Sequence, residues 1–311
     1  MQEKINIRLL VSLVILTGIT TLVFFFSSTS PSPVADKKLF KVDDLKTIDQ
    51  VILESPNGKV ELTYNGSRWK VNNQYDADRD MVDVLFATLE QAEPKRPVPS
   101  ALIDSVGKKM EAQGVKVSLL ASGKLLQTFY AGGNEQKTQA YFKKPGENVP
   151  YLMVIPGYRV YVSGILELNE GGWRDKYAFG FNWRNFSGME IIFPGRQADN
   201  FVVARGKDYF GIQGLAQVDT TRLNDFIDAI SLLTVDAYLE STPVTDSLKN
   251  LQPVMMIRVK DIANRDYVLN LFSTATQNEQ VTGLLNDSDA VLFDPHKIRP
   301  ILKPREFFNQ K

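Results

Sequence analysis

The chain has 311 residues, of which 43% are hydrophobic and 23% charged, so it has enough apolar surface to bury a core. Lys and Arg together number 36, and so do Asp and Glu. This balance leaves no basic excess to neutralise phosphates, which argues against a nucleic-acid partner. Cysteine is absent, which excludes disulfides, thiolate metal sites and cysteine nucleophiles.

The first element in chain order is an uncharged apolar run from Leu9 to Phe26. At about 1.5 Å per residue this run makes a helix of roughly 27 Å, close to the thickness of the bilayer hydrocarbon. We predict a transmembrane helix over residues 9–26. The alternative is a cleaved signal peptide, whose apolar core is normally shorter, at about 7–15 residues.

Positive charge before the apolar run predicts its orientation. Lys4 and Arg8 precede the run, and basic residues are held back in the cytoplasm. We therefore expect a short cytoplasmic N-terminus over residues 1–8. The helix would lie in the inner (cytoplasmic) membrane, with the bulk of the chain in the periplasm.

A stretch rich in Ser and Pro follows the predicted helix, from Ser27 to Lys38. Serine and proline at this density disfavour both helix and sheet and favour an extended, polyproline-like chain. We predict an extended tether over residues 27–45 that holds the folded part away from the bilayer.

The rest of the chain reads as one pattern that occurs twice, over residues 46–180 and again over residues 181–311. Each pass opens with short alternating strands joined by tight turns. The turn signals are Asn57-Gly58, Asn65-Gly66 and Arg205-Gly206.

A helix is predicted after the opening strands of each half. In the first half, apolar residues recur at helical spacing after Asp78 or Asp80 as the N-cap, and in the second half they recur after Asp219. These apolar residues are Val82, Leu85 and Leu89 in the first half, and Leu223, Phe226, Ile227, Ile230 and Leu233 in the second. A further short helix is expected over Ser100–Met110, and another over Val244–Leu251.

Both halves close with paired strands and a last apolar strand. The order of elements predicts an α+β fold, with an N-terminal transmembrane helix and two tandem similar halves. Each half would be a mostly antiparallel sheet with helices on one face. The alternative is that a single α+β chain aligns with itself by chance.

The sequence contains no recognised catalytic arrangement. His296 is the only histidine, no Gly-x-Ser-x-Gly elbow is present, and Pro295 predicts the start of a short helix from His296 to Leu302. The acidic residues at 76, 78, 80 and 83 are spaced like calcium ligands. However, Met81 and Ala87 stand where a calcium loop needs Gly and Glu. We expect no enzyme activity, no cofactor and no metal.

The segment from Gly172 to Phe186 concentrates aromatic and basic residues, including two of the three tryptophans. Aromatics mixed with arginine are typical of protein-binding hot spots, and they also suit the seam between two packed halves. Both interpretations stay open. The candidate surface consists of Trp173, Arg174, Tyr177, Phe179, Phe181, Trp183, Arg184 and Phe186.

The first half resembles a bacterial envelope family known as domain of unknown function 4340, over roughly residues 46–180. The resemblance depends on the N-terminal apolar run, the strand pattern that ends at Trp69 to Val71, Asp78 with the helix after it, and Trp173 to Lys176. It implies an exported, membrane-tethered protein. Relatives are often encoded near gliding-motility-type ABC transporter components, and the family supplies no catalytic residues to carry over.

Three functions remain open. The first is a non-enzymatic accessory or scaffold subunit of an inner-membrane assembly, related to ABC transport, gliding or secretion. Its partners would be inner-membrane proteins, and residues 9–26 would contact the lipid bilayer. The second is a periplasmic glycan- or lipid-binding module. The third is an envelope hydrolase that uses converging carboxylates.

Overall fold

The computed structural model describes residues 2–27, 35–206, 209–272 and 279–310. Most of the predicted Ser- and Pro-rich stretch falls on residues 28–34, which lie outside the described residues. The chain divides into two compact units. The first unit consists of Met1–Asn65 and Asp83–Glu167, and the second consists of Gly66–Val82 and Leu168–Lys311. The boundary predicted between residues 180 and 181 stays a prediction.

The N-terminal helix α1 spans Gln2–Ser27 and contains the predicted span over residues 9–26. Its segment Asn6–Phe24 has a mean hydropathy of 2.2 and is long and apolar enough to cross a membrane. The hydroxyls of Thr17, Thr20 and Thr21 each donate to a carbonyl four residues earlier, at 2.7–2.8 Å. The helix therefore satisfies these polar groups internally, as a lipid-exposed helix must.

The first sheet has nine strands, in the order β4-β3-β2-β1-β6-β7-β8-β9-β5, and the pairs with a recorded register are antiparallel. The strands are β1 (Gln50–Ser55), β2 (Gly58–Tyr64), β3 (Trp69–Val71), β4 (Tyr75–Asp76), β5 (Glu93–Pro97), β6 (Val115–Ala121), β7 (Lys124–Gly133), β8 (Ala140–Lys143) and β9 (Tyr151–Val154). The α-helices in this part of the chain are α2 (Arg79–Gln91), α3 (Ile103–Gln113) and α4 (Glu170–Trp173).

Alternating side chains build the core of the first unit. Val51 and Leu53 of β1 lie opposite Leu119 and Val117 of β6, and all four are buried. Successive side chains of a strand point to opposite faces, so one face of these strands is continuously apolar.

Phe40 lies within the stretch predicted as a tether, and it belongs to this core. Its ring is buried and makes edge contacts with Phe129, Phe142 and Tyr151, at centroid distances of 5.7, 5.5 and 6.0 Å. The chain is in a turn over residues 37–40. The core that contains the first sheet therefore includes the chain from before Phe40.

The second sheet has eight strands, in the order β12-β11-β10-β14-β15-β16-β17-β13, again with antiparallel pairs. The strands are β10 (Phe186–Ile192), β11 (Phe201–Arg205), β12 (Phe210–Ile212), β13 (Ala237–Tyr238), β14 (Met255–Asp261), β15 (Asp266–Leu271), β16 (Val281–Leu285) and β17 (Asp289–Phe293). The helices are α5 (Thr220–Ser231), α6 (Pro243–Ser247) and α7 (Pro295–Ile298).

The two sheets share one strand order. When the first sheet is read from β3 and the second from β12, each strand of one sheet has a counterpart at the same position in the other. In both sheets the strand that follows the long helix in sequence, β5 or β13, lies at the edge. The first sheet carries β4 in addition. The predicted α+β class, with an N-terminal apolar helix and two tandem antiparallel sheet halves, is confirmed.

The predicted helix starts are confirmed by their caps. The Asp78 carboxylate accepts from the N–H groups of Asp80 and Met81 at 2.9 and 3.2 Å, and Asp219 accepts from the N–H of Arg222 at 3.1 Å. These bonds satisfy N–H groups that have no partner inside the helix. Asp294 caps α7 through the N–H of His296 at 2.7 Å, but α7 ends at Ile298 rather than at Leu302.

The sequence prediction missed five strands: β4, β5, β8, β13 and β16. β5 contains Pro94 and Pro97, which cannot donate to a ladder, but β5 lies at the sheet edge, where proline is tolerated. Its counterpart β13 has only two residues. β16 contains Gly283, where an added Cβ would lie 2.9 Å from the Phe293 ring. This close packing explains why residue 283 is glycine. Glycine in turn weakens the sequence pattern that would predict a strand.

Candidate interaction surface

The first part of the aromatic segment, residues 173–178, is held by two other parts of the second unit. The N–H of Asp175 donates to the carbonyl of Asp76, and the N–H of Ala178 donates to the carbonyl of Leu233, each at 2.9 Å. These main-chain bonds fix the backbone of the segment on the fold.

Arg174 is the most enclosed charged residue of this segment. Its guanidinium forms a bidentate pair with the Asp289 carboxylate, at 3.1 and 2.8 Å. The two faces of the guanidinium are available for stacking, and its carbon lies 3.5 Å from the centre of the Tyr75 ring and 3.8 Å from that of Tyr238. We call these four residues the Arg174 cluster. Planar stacking combined with a forked carboxylate pair is a contact that arginine makes and lysine cannot.

Tyr238 is tied into the cluster by its hydroxyl, which donates to the carbonyl of Asp175 at 2.7 Å. Burial raises the pKa of Tyr238 to about 12; the charges of Asp175 and Asp289 add to the rise, and Arg174 opposes it. The phenol therefore stays protonated near neutral pH. The charge of Arg174 is paired, and the Tyr75 and Tyr238 rings stack on its guanidinium. The Arg174 cluster therefore has a structural role rather than that of an open ligand site.

The aromatic segment also supplies apolar core. Trp173, Phe179, Phe181 and Phe186 are buried, as is Arg174. The last three aromatics belong to the main apolar core of the second unit. Five of the eight residues of the predicted surface therefore lie inside the fold.

Three residues of the predicted surface are exposed: Tyr177, Trp183 and Arg184. The Trp183 side chain keeps 42% of its area in solvent. Its indole Nε1–H donates to the Asp228 carboxylate at 2.5 Å, and its ring lies 5.8 Å from the Phe210 ring. Trp183 is thus held in one orientation while much of its apolar surface remains uncovered.

Trp183 lies at one end of the second sheet, in the loop before β10. Its loop leads directly into β10, and the main chain of Ile262, in the β14–β15 turn, donates to the Asn185 carbonyl at 2.8 Å. On the other side of β10, Arg205 ends β11 and Tyr209 directly precedes β12. Neighbouring strands are about 4.8 Å apart, so these two residues and the β14–β15 turn lie near the loop of Trp183.

We call this end of the sheet the tip surface. It is formed by Trp183, Arg184, Arg205, Tyr209 and Ile262, all of which are exposed. Within the described residues, neither arginine of the tip surface forms an ion pair. Sequence reasoning missed three of these residues because they are distant in sequence and become neighbours only through the sheet order.

The acidic residues that resembled a calcium loop have other roles. Asp78 caps α2, and Asp76 pairs with Lys70 at 2.7 Å and with Arg68 at 2.8 Å. Partial burial raises the pKa of Asp76, but hydrogen bonds from Lys70 and Arg68 outweigh this effect, so the pKa lies below its usual value. In the part of the chain that the structure describes, no group of three or more His, Cys, Asp or Glu is placed to hold a metal ion.

The sheet order and the N-terminal helix define a duplicated α+β protein whose first helix is long and apolar enough to span a membrane. The chain belongs to the family described as Domain of unknown function (DUF4340), which matches residues 69–253. The match begins later than the predicted resemblance, at β3, and ends just before β14, so it covers part of each sheet. No curated protein and no solved structure matches the chain.

Proposed function

We propose that this protein is a non-enzymatic, membrane-anchored accessory or scaffold subunit of an inner-membrane assembly, related to ABC transport or to gliding or secretion. Helix α1 would anchor it with the N-terminus in the cytoplasm and both sheets in the periplasm. Lys4 and Arg8 before the apolar span support this orientation. Anchoring confines the folded units to the membrane surface, which raises their effective concentration toward membrane partners.

The tip surface is the observation that carries the proposal. Tryptophan, tyrosine and arginine are the residues most enriched at binding hot spots, and here they lie together and exposed. The hydrogen bond from Trp183 to Asp228 orients the indole in advance, so binding would cost little side-chain entropy. We propose that an inner-membrane protein binds this surface.

Site-specific crosslinking in native membranes tests the partner. Because the natural chain has no cysteine, Ile262→Cys places a single thiol on the tip surface. Val244→Cys is the matched control, since Val244 is an apolar residue of the same unit that is 78% exposed on α6. We expect a discrete crosslinked membrane protein from position 262 and not from position 244. Equal labelling from both positions, or no adduct from either, would contradict the proposal.

The anchor and its orientation need a separate test. The full chain should remain in the membrane pellet after alkaline carbonate. A membrane-impermeant maleimide should label Val244→Cys in cells with a permeable outer membrane. Extraction by carbonate would refute the anchor, and labelling only after lysis would refute the orientation. The ligand-binding and hydrolase alternatives stay predictions.

A further inference from the structure

A second exposed region lies in the first unit, at the edge where the chain arrives from α1. The Lys37 ammonium pairs with the Glu93 carboxylate of edge strand β5 at 3.0 Å. Glu93 lies opposite Val154, the last residue of β9. The turn that follows β9 is therefore close to the point where the chain joins the first unit.

That turn presents apolar side chains to solvent. Pro156 and Gly157 form it, with φ of +82° at the glycine, and the N–H of Tyr158 donates to the Ile155 carbonyl at 3.0 Å. A Pro-Gly pair with positive φ at glycine is typical of a type II turn. The side chains of Tyr158 and Val160 beyond it are 65% and 53% exposed.

Exposed cations occur on the chain segments next to the turn. Lys95 and Arg96 are exposed on the adjacent edge strand, Arg159 lies between the two exposed apolar residues, and Lys38 is exposed next to Lys37. Among the described residues, none of Lys38, Lys95, Arg96 and Arg159 forms an ion pair. Charges and prolines on an edge strand also protect it against aggregation, but that role does not require Tyr158 and Val160 to be uncovered.

The length of the chain limits how far this edge can lie from α1. Ser27 is the last residue of α1, and Ala35 is the first described residue after it. Eight residue steps span at most about 29 Å even when fully extended. The edge formed by β5 and the turn after β9 therefore lies on the part of the first unit that the short connection keeps nearest to α1.

We propose that Tyr158, Val160, Arg159, Lys95, Arg96 and Lys38 form a surface that rests on the bilayer and binds anionic phospholipid headgroups. This inference rests on the proposed anchoring through α1. Tyrosine is enriched at the membrane–water interface, and lysine and arginine are attracted to anionic lipid within about a Debye length. Docking would fix the first unit on the membrane plane instead of leaving it free on its connection to α1.

The test uses the full chain in nanodiscs, with Tyr158→Cys carrying a polarity-sensitive fluorophore. In discs with about a third anionic phospholipid, we expect blue-shifted emission and protection from aqueous iodide. Both signals should weaken in purely zwitterionic discs and at 1 M salt. The same label at Val244→Cys should report water in every case. Recovery of the chain in the disc fraction establishes the anchor independently of docking.

Charge variants locate the surface. Each cation near anionic lipid contributes about a fivefold preference, so Lys95→Gln/Arg96→Gln should lower the docked-to-free ratio about 25-fold. Lys46→Gln/Lys124→Gln, an equal charge change elsewhere on the first unit, should change it little. A label at 158 that reports water in anionic discs overturns the proposal. Protection at 158 only in native membranes would also overturn it and would assign the surface to a protein.

Discussion

The guanidinium of Arg174 and the carboxylate of Asp289 are separated by 115 residues in sequence and meet in a bidentate pair. The Arg174 side chain is only 10% exposed, and Asp289 begins strand β17. The pair therefore ties the end of helix α4 to the start of a strand of the second sheet. Tyr75 and Tyr238 cover the guanidinium and displace water from it. The Asp289 carboxylate is therefore the main group that compensates the charge for the lost hydration.

Arg174→Lys should destabilise the protein by about 2–3 kcal/mol, although it keeps the positive charge. Lysine loses one of the two charge-assisted hydrogen bonds and the stacking on both tyrosine rings. Urea unfolding of the detergent-solubilised full chain, followed by intrinsic fluorescence, measures the change.

Arg196→Lys is the matched control for this substitution. Arg196 also pairs with a carboxylate, that of Asp199 at 3.2 Å, and lies over the Phe193 ring, but its side chain is 63% exposed. It should cost about 0.5 kcal/mol or less. Equal losses at the two positions would show that enclosure of Arg174 adds nothing.

Local signals in the sequence were sufficient for much of the fold. A carboxylate cap followed by apolar residues at helical spacing predicted α2 and α5, since both signals act within a few residues. The apolar span of α1 and the repeated strand pattern could also be predicted from the sequence. The Arg174 cluster could not be predicted, because Tyr75, Tyr238 and Asp289 come from three separate strands and no local pattern marks them.

Tyr238→Phe should remove an alkaline sensitivity of the protein. Burial raises the pKa of Tyr238 to about 12 in the fold, above the value near 10 of an exposed tyrosine. Folding therefore favours the protonated phenol, and this contribution is present below pH 10 and is lost as the pH rises toward 12. At pH 8 the variant should be about 1 kcal/mol less stable, because the hydrogen bond to Asp175 is lost.

The difference between wild type and Tyr238→Phe should then shrink or reverse between pH 10 and 12. Chemical unfolding at a series of alkaline pH values measures it. A constant difference across this range would mean that Tyr238 is not protected from ionisation by the fold.

Asp76→Asn should change the acid sensitivity in the opposite sense. Although burial acts against it, hydrogen bonding to Lys70 and Arg68 lowers the pKa of Asp76 below the usual value of 3.8. The ionised form is favoured by folding, so its contribution is present above pH 4 and disappears as the pH falls through the folded-state pKa. We expect a loss below about 1 kcal/mol at pH 7, because the pair is partly exposed, and a loss that shrinks as the pH falls through the folded-state pKa.

Burial within the aromatic segment could not be derived from its composition. Phe181 and Trp183 are two residues apart and both aromatic, yet one is in the core and the other is exposed. The difference depends on α5, where Asp228 accepts from the indole, and on the strands that enclose Phe181. Such contacts join elements that are far apart in sequence, so residue type alone left both interpretations of the segment open.

Phe40→Ala should show that the folded unit begins before Phe40 rather than after residue 45. Phe40 is buried against Phe129, Phe142 and Tyr151, so truncation should leave a cavity and cost about 3–4 kcal/mol. Leu125→Ala, an exposed apolar truncation in the same unit, should change stability by less than about 0.5 kcal/mol. Hydrogen exchange of the full chain should also show protection at Leu39 and Lys41, whose N–H groups donate to the carbonyls of Asp36 and Lys38 at 3.1 and 3.0 Å. Rapid exchange there, with a neutral Phe40→Ala variant, would instead place these residues in a free tether.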